Sequence, residues 1–123
     1  MDGALEFAGD KLKGDKEIVL EAVSKVGWVI CYSSEELRDD KDIVLAGVKK
    51  DGQALYYASE KLRDNEQIVL EAVKNKGIIL KYASKRIRGQ KEIAMEAIKQ
   101  DKRAYSFITK ELKDDEEIKQ LLQ

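Results

Sequence analysis

Shifted by 25 residues, the chain matches itself over its whole length without a gap, and this periodicity limits the fold more than any other feature of the sequence. Five units follow: 2–26, 27–51, 52–76, 77–101 and a shorter fifth, 102–123. One column is aromatic in every unit (Phe7, Tyr32, Tyr57, Tyr82, Phe107). A second is Leu or Ile (Leu12, Leu37, Leu62, Ile87, Leu112), and a third is always Ile (Ile18, Ile43, Ile68, Ile93, Ile118). A period of this size marks one supersecondary unit copied in tandem, in which each copy needs its neighbour to bury its apolar face.

Each unit reads as two short helices. In the third, Ala54, Leu55, Ala58 and Leu62 share one helical face and Tyr57 widens it, which predicts a first helix over 54–63. Ile68, Val69, Leu70, Ala72 and Val73 predict a second over 66–75. Asp64 stands three residues before Gln67 as an N-cap with its capping-box partner, and Asp39 with Asp42 and Asp114 with Glu117 repeat the pattern. Gly27, Gly52 and Gly77 follow the second helices, where a left-handed C-cap is expected. Ser34, Ser59, Ser84 and Thr109 are read as small residues that let helices approach. Strand alternation is absent. Helices of ten residues are about 15 Å long and are not stable alone. The expected architecture is therefore all-α, a single-domain α-solenoid of about five two-helix repeats, in a superhelix of either hand. In the fifth unit Lys119 and Gln120 replace the Val and Leu that follow the Ile in units one to three. That reads as a polar terminal cap or, failing that, a degenerate or truncated final unit.

Composition removes several function classes. Apolar residues make up 43%, enough for a folded core, and 23 basic against 24 acidic residues leave a net charge of −1. With no His, imidazole catalysis and His-ligated metal sites are excluded, and one cysteine cannot form a disulfide within the chain or a cysteine metal cluster. No Pro interrupts the helices. No apolar run is long enough to span a membrane and the first residues do not read as a signal peptide, so a cytoplasmic location is expected. The acidic runs, Asp39-Asp40 and 114–117, sit at helix starts, where capping explains them. No calcium loop or phosphate loop is present. Cys31 has no His to activate it, and Glu35 and Glu36 disfavour its thiolate. An enzyme is not expected, nor is a cofactor or a metal.

The strings ALYYASEKLRDNEQIVLEAVKN (54–75) and SSEELRDDKDIVLAGVKKDG (33–52) resemble a family of short tandem helical repeats known as a domain of unknown function, with units like ALxYASExLRDDKEIVLxAVKxDG. Unit one departs from the pattern at Gly9 and Gly14, and unit four at Lys85, Arg86, Gly89 and Gln90. The resemblance implies an all-helical repeat, a role in interactions and no catalytic residue.

Comparing the units with one another separates scaffold from variation. A variable stripe runs along the first helix at offsets of three, seven and ten. It is Gly3, Glu6, Asp10 and Lys13 in unit one, Trp28, Cys31, Glu35 and Arg38 in unit two, and Gln53, Tyr56, Glu60 and Arg63 in unit three. Ile78, Lys81, Lys85 and Arg88 follow in unit four, then Arg103, Ser106, Lys110 and Lys113 in unit five. Two features stand out on this ladder. Trp28, Cys31, Tyr56 and Ile78 form an apolar group suited to anchoring a protein or peptide. The third position changes sign along the array (Asp10, Glu35, Glu60, Lys85, Lys110) while the fourth is always basic. Units one to three can thus pair acid with base three residues apart, whereas unit four, with six basic and three acidic residues, stands at +3. Lys81, Lys85 and Arg88 would set a charge preference. The expected function is protein or peptide binding on this face. Nucleic-acid or other polyanion binding by units four and five ranks second, and a structural spacer or a piece of a longer array third. A monomer, or a weak dimer through an end unit, is expected.

Overall fold

The computed structural model describes residues 15–123. Its helices repeat in threes. A ten-residue α-helix recurs as α1 (Lys16–Lys25), α3 (Lys41–Lys50), α5 (Glu66–Asn75) and α7 (Lys91–Gln100), and a shorter copy, α9 (Glu116–Leu121), ends the chain. Each ten-residue helix is followed by a six-residue 3₁₀-helix: η1 (Gly27–Tyr32), η2 (Gly52–Tyr57), η3 (Gly77–Tyr82) and η4 (Lys102–Phe107). One turn of α-helix comes next: α2 (Glu35–Arg38), α4 (Glu60–Arg63), α6 (Lys85–Arg88) and α8 (Lys110–Lys113). Each long helix packs on the next and the 3₁₀-helices do the same, which makes an all-helical solenoid with no strand among the described residues.

The predicted first helix is thus two elements. Ala58 and Ser59 are extended (ψ 158° and 159°), which breaks the helical path between η2 and α4. An apolar pattern at i and i+3 suits a 3₁₀-helix and an α-helix alike, so periodicity alone does not separate them. In η2 the spacing puts Ala54 and Leu55 inside and leaves Gln53 and Tyr56 outward. Ser59 then caps α4, its Oγ accepting from the Leu62 N–H; Ser34 and Ser84 act likewise on Leu37 and Ile87. The repeated serines are therefore caps, not packing spacers.

The long helices are capped one residue later than expected. Asp40, Asn65 and Asp115 accept from Ile43, Ile68 and Ile118 N–H groups. Asp39 and Asp64 are left to clamp the next unit. The Ser59 hydroxyl donates to Asp39 Oδ1 (2.6 Å) and the Ser84 hydroxyl to Asp64 Oδ1. Beside each, a backbone bond crosses the junction, from Ser59 N–H to Arg38 O (3.1 Å) and from Ser84 N–H to Arg63 O (3.1 Å). The last junction keeps the backbone bond (Thr109 N–H to Arg88 O, 3.3 Å) but has Gly89 in place of the aspartate.

The glycines also work differently from the expectation, since no described glycine has positive φ. Gly27, Gly52 and Gly77 start 3₁₀-helices that run against the long helix of their own unit. A Cβ there would lie 2.4 Å from Gly47 O, 2.7 Å from Ala72 O and 2.2 Å from Ala97 O respectively. They are glycine because the backbones touch. Unit five has Lys102 in this column, and its long helix ends at Leu121, before the residue equivalent to Ala97.

The core is one continuous stripe. Ile43, Ile68, Ile93 and Ile118 are buried, and so are Leu37, Leu62 and Ile87 of the short helices and Val29, Ile30, Leu55 and Leu80 of the 3₁₀-helices. Ile18 departs from its column at 38% exposed. The Phe7 and Leu12 positions lie outside the described residues.

Ion pairs follow the same register. Lys16 meets Asp40 (3.2 Å) and Asp42 (3.0 Å) of the next unit, and Lys91 meets Asp115 (3.0 Å) and Glu117. In the register of Lys41 the equivalent acidic positions are the uncharged Asn65 and Gln67, and Arg86 instead ties unit four to Asp64 (2.9 Å) and Glu66 (3.5 Å). The Ser84 hydroxyl and then Arg86 hold Asp64 below the usual carboxylate range, while Lys91 does so for Asp115 and Arg103 for Asp101. Burial pushes Asp40 up, but the Ile43 N–H and Lys16 together outweigh it and the net shift is downward. A carboxylate lowered in the folded state stabilises fully above its unfolded pKa of about 3.9, and that contribution is lost as pH falls through the folded value. Lys16 and Lys91 are raised by their carboxylate partners, so their contribution is present below about 10.4 and is lost as pH rises through the folded value. With no histidine in the chain, the urea midpoint is expected to stay level between about pH 5 and 8 and to fall below about pH 4. A midpoint that moves between pH 6 and 7 contradicts this account.

Candidate binding face

The variable stripe lies on two kinds of element. Its first two positions sit on the 3₁₀-helices and its last two on the single-turn helices. Trp28 (43% exposed) and Tyr56 (51%) are, with Ile18, the exposed large apolar side chains among the described residues. Trp28 packs edge-on to Tyr32, with ring centroids 6.1 Å apart. Tyr56 stands edge-on between Tyr57 (5.1 Å) and Tyr82 of the next unit (5.0 Å). No ring contact joins Trp28 to Tyr56 among the described residues. Ile78 is half-buried against the core, and Cys31 is half-buried with its carbonyl accepting from Arg38 Nη2. The aromatic contacts thus fall into two groups, Trp28 with Tyr32 in unit two and Tyr56 with Tyr57 and Tyr82 across units three and four, where the sequence suggested a single cluster. Gly3, Glu6, Asp10 and Lys13 lie outside the described residues.

The basic fourth position turns inward. Arg38 donates to the Cys31 carbonyl, and Arg88 to the carbonyls of Ala83 and Phe107 (both 3.3 Å). These bonds satisfy backbone acceptors at the ends of the 3₁₀-helices. The expected pairs three residues apart do not form: neither Glu35 with Arg38 nor Glu60 with Arg63 makes an ion pair among the described residues. Unit four's positive charge is partly spent in the same way. Arg86 bonds Asp64 and Glu66, Arg88 bonds carbonyls, and the Lys81 ammonium lies 5.1 Å from the centre of the Tyr82 ring. Of the basic residues singled out in the sequence, Lys81 and Lys85 are exposed and Arg88 is half-buried.

Two grooves open beside the single-turn helices. One, about 350 Å³, is lined by Glu35, Arg38, Tyr57, Ala58, Ser59, Glu60 and Arg63. The second, about 340 Å³, is lined by Glu60, Arg63, Tyr82, Ala83 and Ser84. They share Glu60 and Arg63, and lie at the junctions of units two and three and of units three and four. Tyr57 and Tyr82 belong to the aromatic column that the sequence assigns to the scaffold. Their half-burial serves both roles, and the invariance of the column hid the second. No three acidic or thiol groups converge as a metal site would require, and no helix is long and apolar enough to cross a membrane, among the described residues.

Tandem short helices around one apolar stripe, with a grooved and variable outer face, define a helical-repeat protein of the solenoid class. The family model of DUF4116, a domain of unknown function, matches three successive stretches, 2–38, 40–88 and 90–120. The chain belongs to that family. No curated protein and no solved structure matches it.

Proposed function

We propose that this chain is a non-enzymatic helical-repeat protein that binds a protein or peptide on the face formed by the 3₁₀ and single-turn helices. The observation that carries the proposal is the pair of adjoining grooves that share Glu60 and Arg63, with the exposed Tyr56 in ring contact with Tyr57 and Tyr82 of their walls. Side chains that recur unit after unit suit an extended partner, and exposed aromatics are common anchors of such interfaces. Polyanion binding is less favoured, because Arg86 and Arg88 are already bonded within the array. One cysteine and no disulfide within the chain suit a reducing cytosol.

The test is capture from lysate of the source cell with the wild-type chain beside Trp28→Ala/Tyr56→Ala. The expected result is a bound protein that withstands moderate salt and is lost with the double variant. The variant itself should stay folded and lose no more than about 3 kcal/mol, since neither side chain is part of the buried core. Equal capture by both forms places the interaction elsewhere.

A further inference from the structure

We infer that Arg63 and Glu60 hold a partner peptide by its main chain, the Arg63 guanidinium donating to a peptide carbonyl and the Glu60 carboxylate accepting from a peptide N–H. The inference rests on the peptide-binding reading above and adds to it the group of the ligand that is recognised.

The arginine of the fourth position recurs as Arg38, Arg63 and Arg88, and the first and last of these are already engaged. Arg38 Nη2 donates to the Cys31 carbonyl, and Arg88 donates to the carbonyls of Ala83 and Phe107. Counted by the same offsets, the carbonyls open to Arg63 are those of Tyr56, Ala58 and Tyr82. None of them accepts from its side chain, and no ion pair engages it among the described residues. Its Nε–H is buried without a hydrogen-bond partner. Arg38 Nε is in the same state, but Arg38 keeps a carbonyl through Nη2. A half-buried guanidinium without an acceptor is costly, and a ligand that supplies one recovers that cost. The neighbouring units show which acceptor this position takes, since in both it is a main-chain carbonyl. Arg63 lines both grooves, so it is placed to take that carbonyl from a peptide lying in them.

The mixed charge of the grooves selects a neutral group. Glu60 stands three residues before Arg63 on α4, lines the same two grooves and is exposed. No ion pair joins the two among the described residues. Each groove therefore offers a carboxylate and a guanidinium side by side, and the groove toward unit two repeats the combination with Glu35 and Arg38. A charged side chain entering either groove meets a like charge as well as an opposite one. A peptide amide is neutral and carries both a carbonyl acceptor and an N–H donor, so it satisfies Arg63 and Glu60 together. Tyr57 and Tyr82 supply ring surface for the side chains on either side of that amide.

The experiment pans a phage-displayed library of random dodecapeptides lacking Asp, Glu, Lys and Arg on the wild-type chain. The strongest binder is then made as a labelled, end-capped peptide and measured by fluorescence anisotropy. Arg63→Met should weaken it roughly tenfold or more. The thermal melt of that variant should stay at or above wild type, because it removes a donor that the fold leaves unpaired. Lys85→Ala, which lines neither groove, should bind as wild type does. Methylating the peptide nitrogens one at a time should find one where the methyl costs roughly tenfold against wild type and little against Glu60→Ala. Equal binding by Arg63→Met, or a lower melt in that variant, overturns the role of Arg63 and leaves the peptide-binding reading standing. No nitrogen whose methylation depends on Glu60 overturns the main-chain mode. A library that yields no binder overturns the inference as a whole, while the reading it rests on still stands or falls on its own capture experiment.

Discussion

Gly77→Ala is expected to destabilise the chain by about 3 kcal/mol or more, read as a lower urea midpoint. The added methyl would sit 2.2 Å from the Ala97 carbonyl oxygen and 3.0 Å from the Asp101 nitrogen. Both are backbone atoms, so no side-chain rotation relieves the contact, and η3 must lift off α7. That separation would also expose Ile79 and Leu80, which are buried between them. Lys102→Ala is the matched control in the same column of unit five. It lies at an exposed site and should stay within about 0.5 kcal/mol of wild type. If the two variants are equally stable, the close-approach account of these glycines is wrong.

Leu55→Ala should cost about 2–5 kcal/mol. Leu55 is fully buried at the middle of the array, in η2, between α3 and α5. Removing its side chain leaves a hole bounded by two junctions. In a solenoid stability is close to a sum over units and the contacts between neighbours, so weakening the centre uncouples the two halves. Hydrogen exchange should show the loss of protection spreading from units two and three, with units four and five less affected. Leu121→Ala, half-buried in the last helix, should cost less and leave the centre protected. Uniform loss of protection in Leu55→Ala would mean the chain unfolds as one block.

The 25-residue period and its three columns reveal the solenoid, because buried Ile and Leu positions recur wherever neighbours must interlock. The 3₁₀-helices were not legible: Ala54, Leu55, Ala58 and Leu62 fit a continuous α-helix equally well, and the break depends on the extended backbone at Ala58 and Ser59. Glycine after a helix signals either a left-handed cap or a close approach, and only the position of the Ala97 carbonyl decides between them. Capping moved by one residue because two acids stand together in Asp39-Asp40, with either able to cap. On the binding face, the exposed Trp28 and Tyr56 were legible as members of a variable stripe. The inward turn of Arg38 and Arg88 was not, since sequence shows a neighbouring glutamate but not an open carbonyl.

Among the described residues, no hydrogen bond or ion pair joins groups more than 29 positions apart, so every contact that orders a unit is already within reach once the next unit has been made. Proteins built from such near-neighbour contacts close small loops, and small loops form quickly. During synthesis this chain can take up its shape behind the ribosome a unit at a time, as each new stretch emerges to cover the exposed flank of the one before. Within residues 15–123, no hydrogen bond or ion pair obliges a long, unfolded, apolar segment to wait for a distant partner.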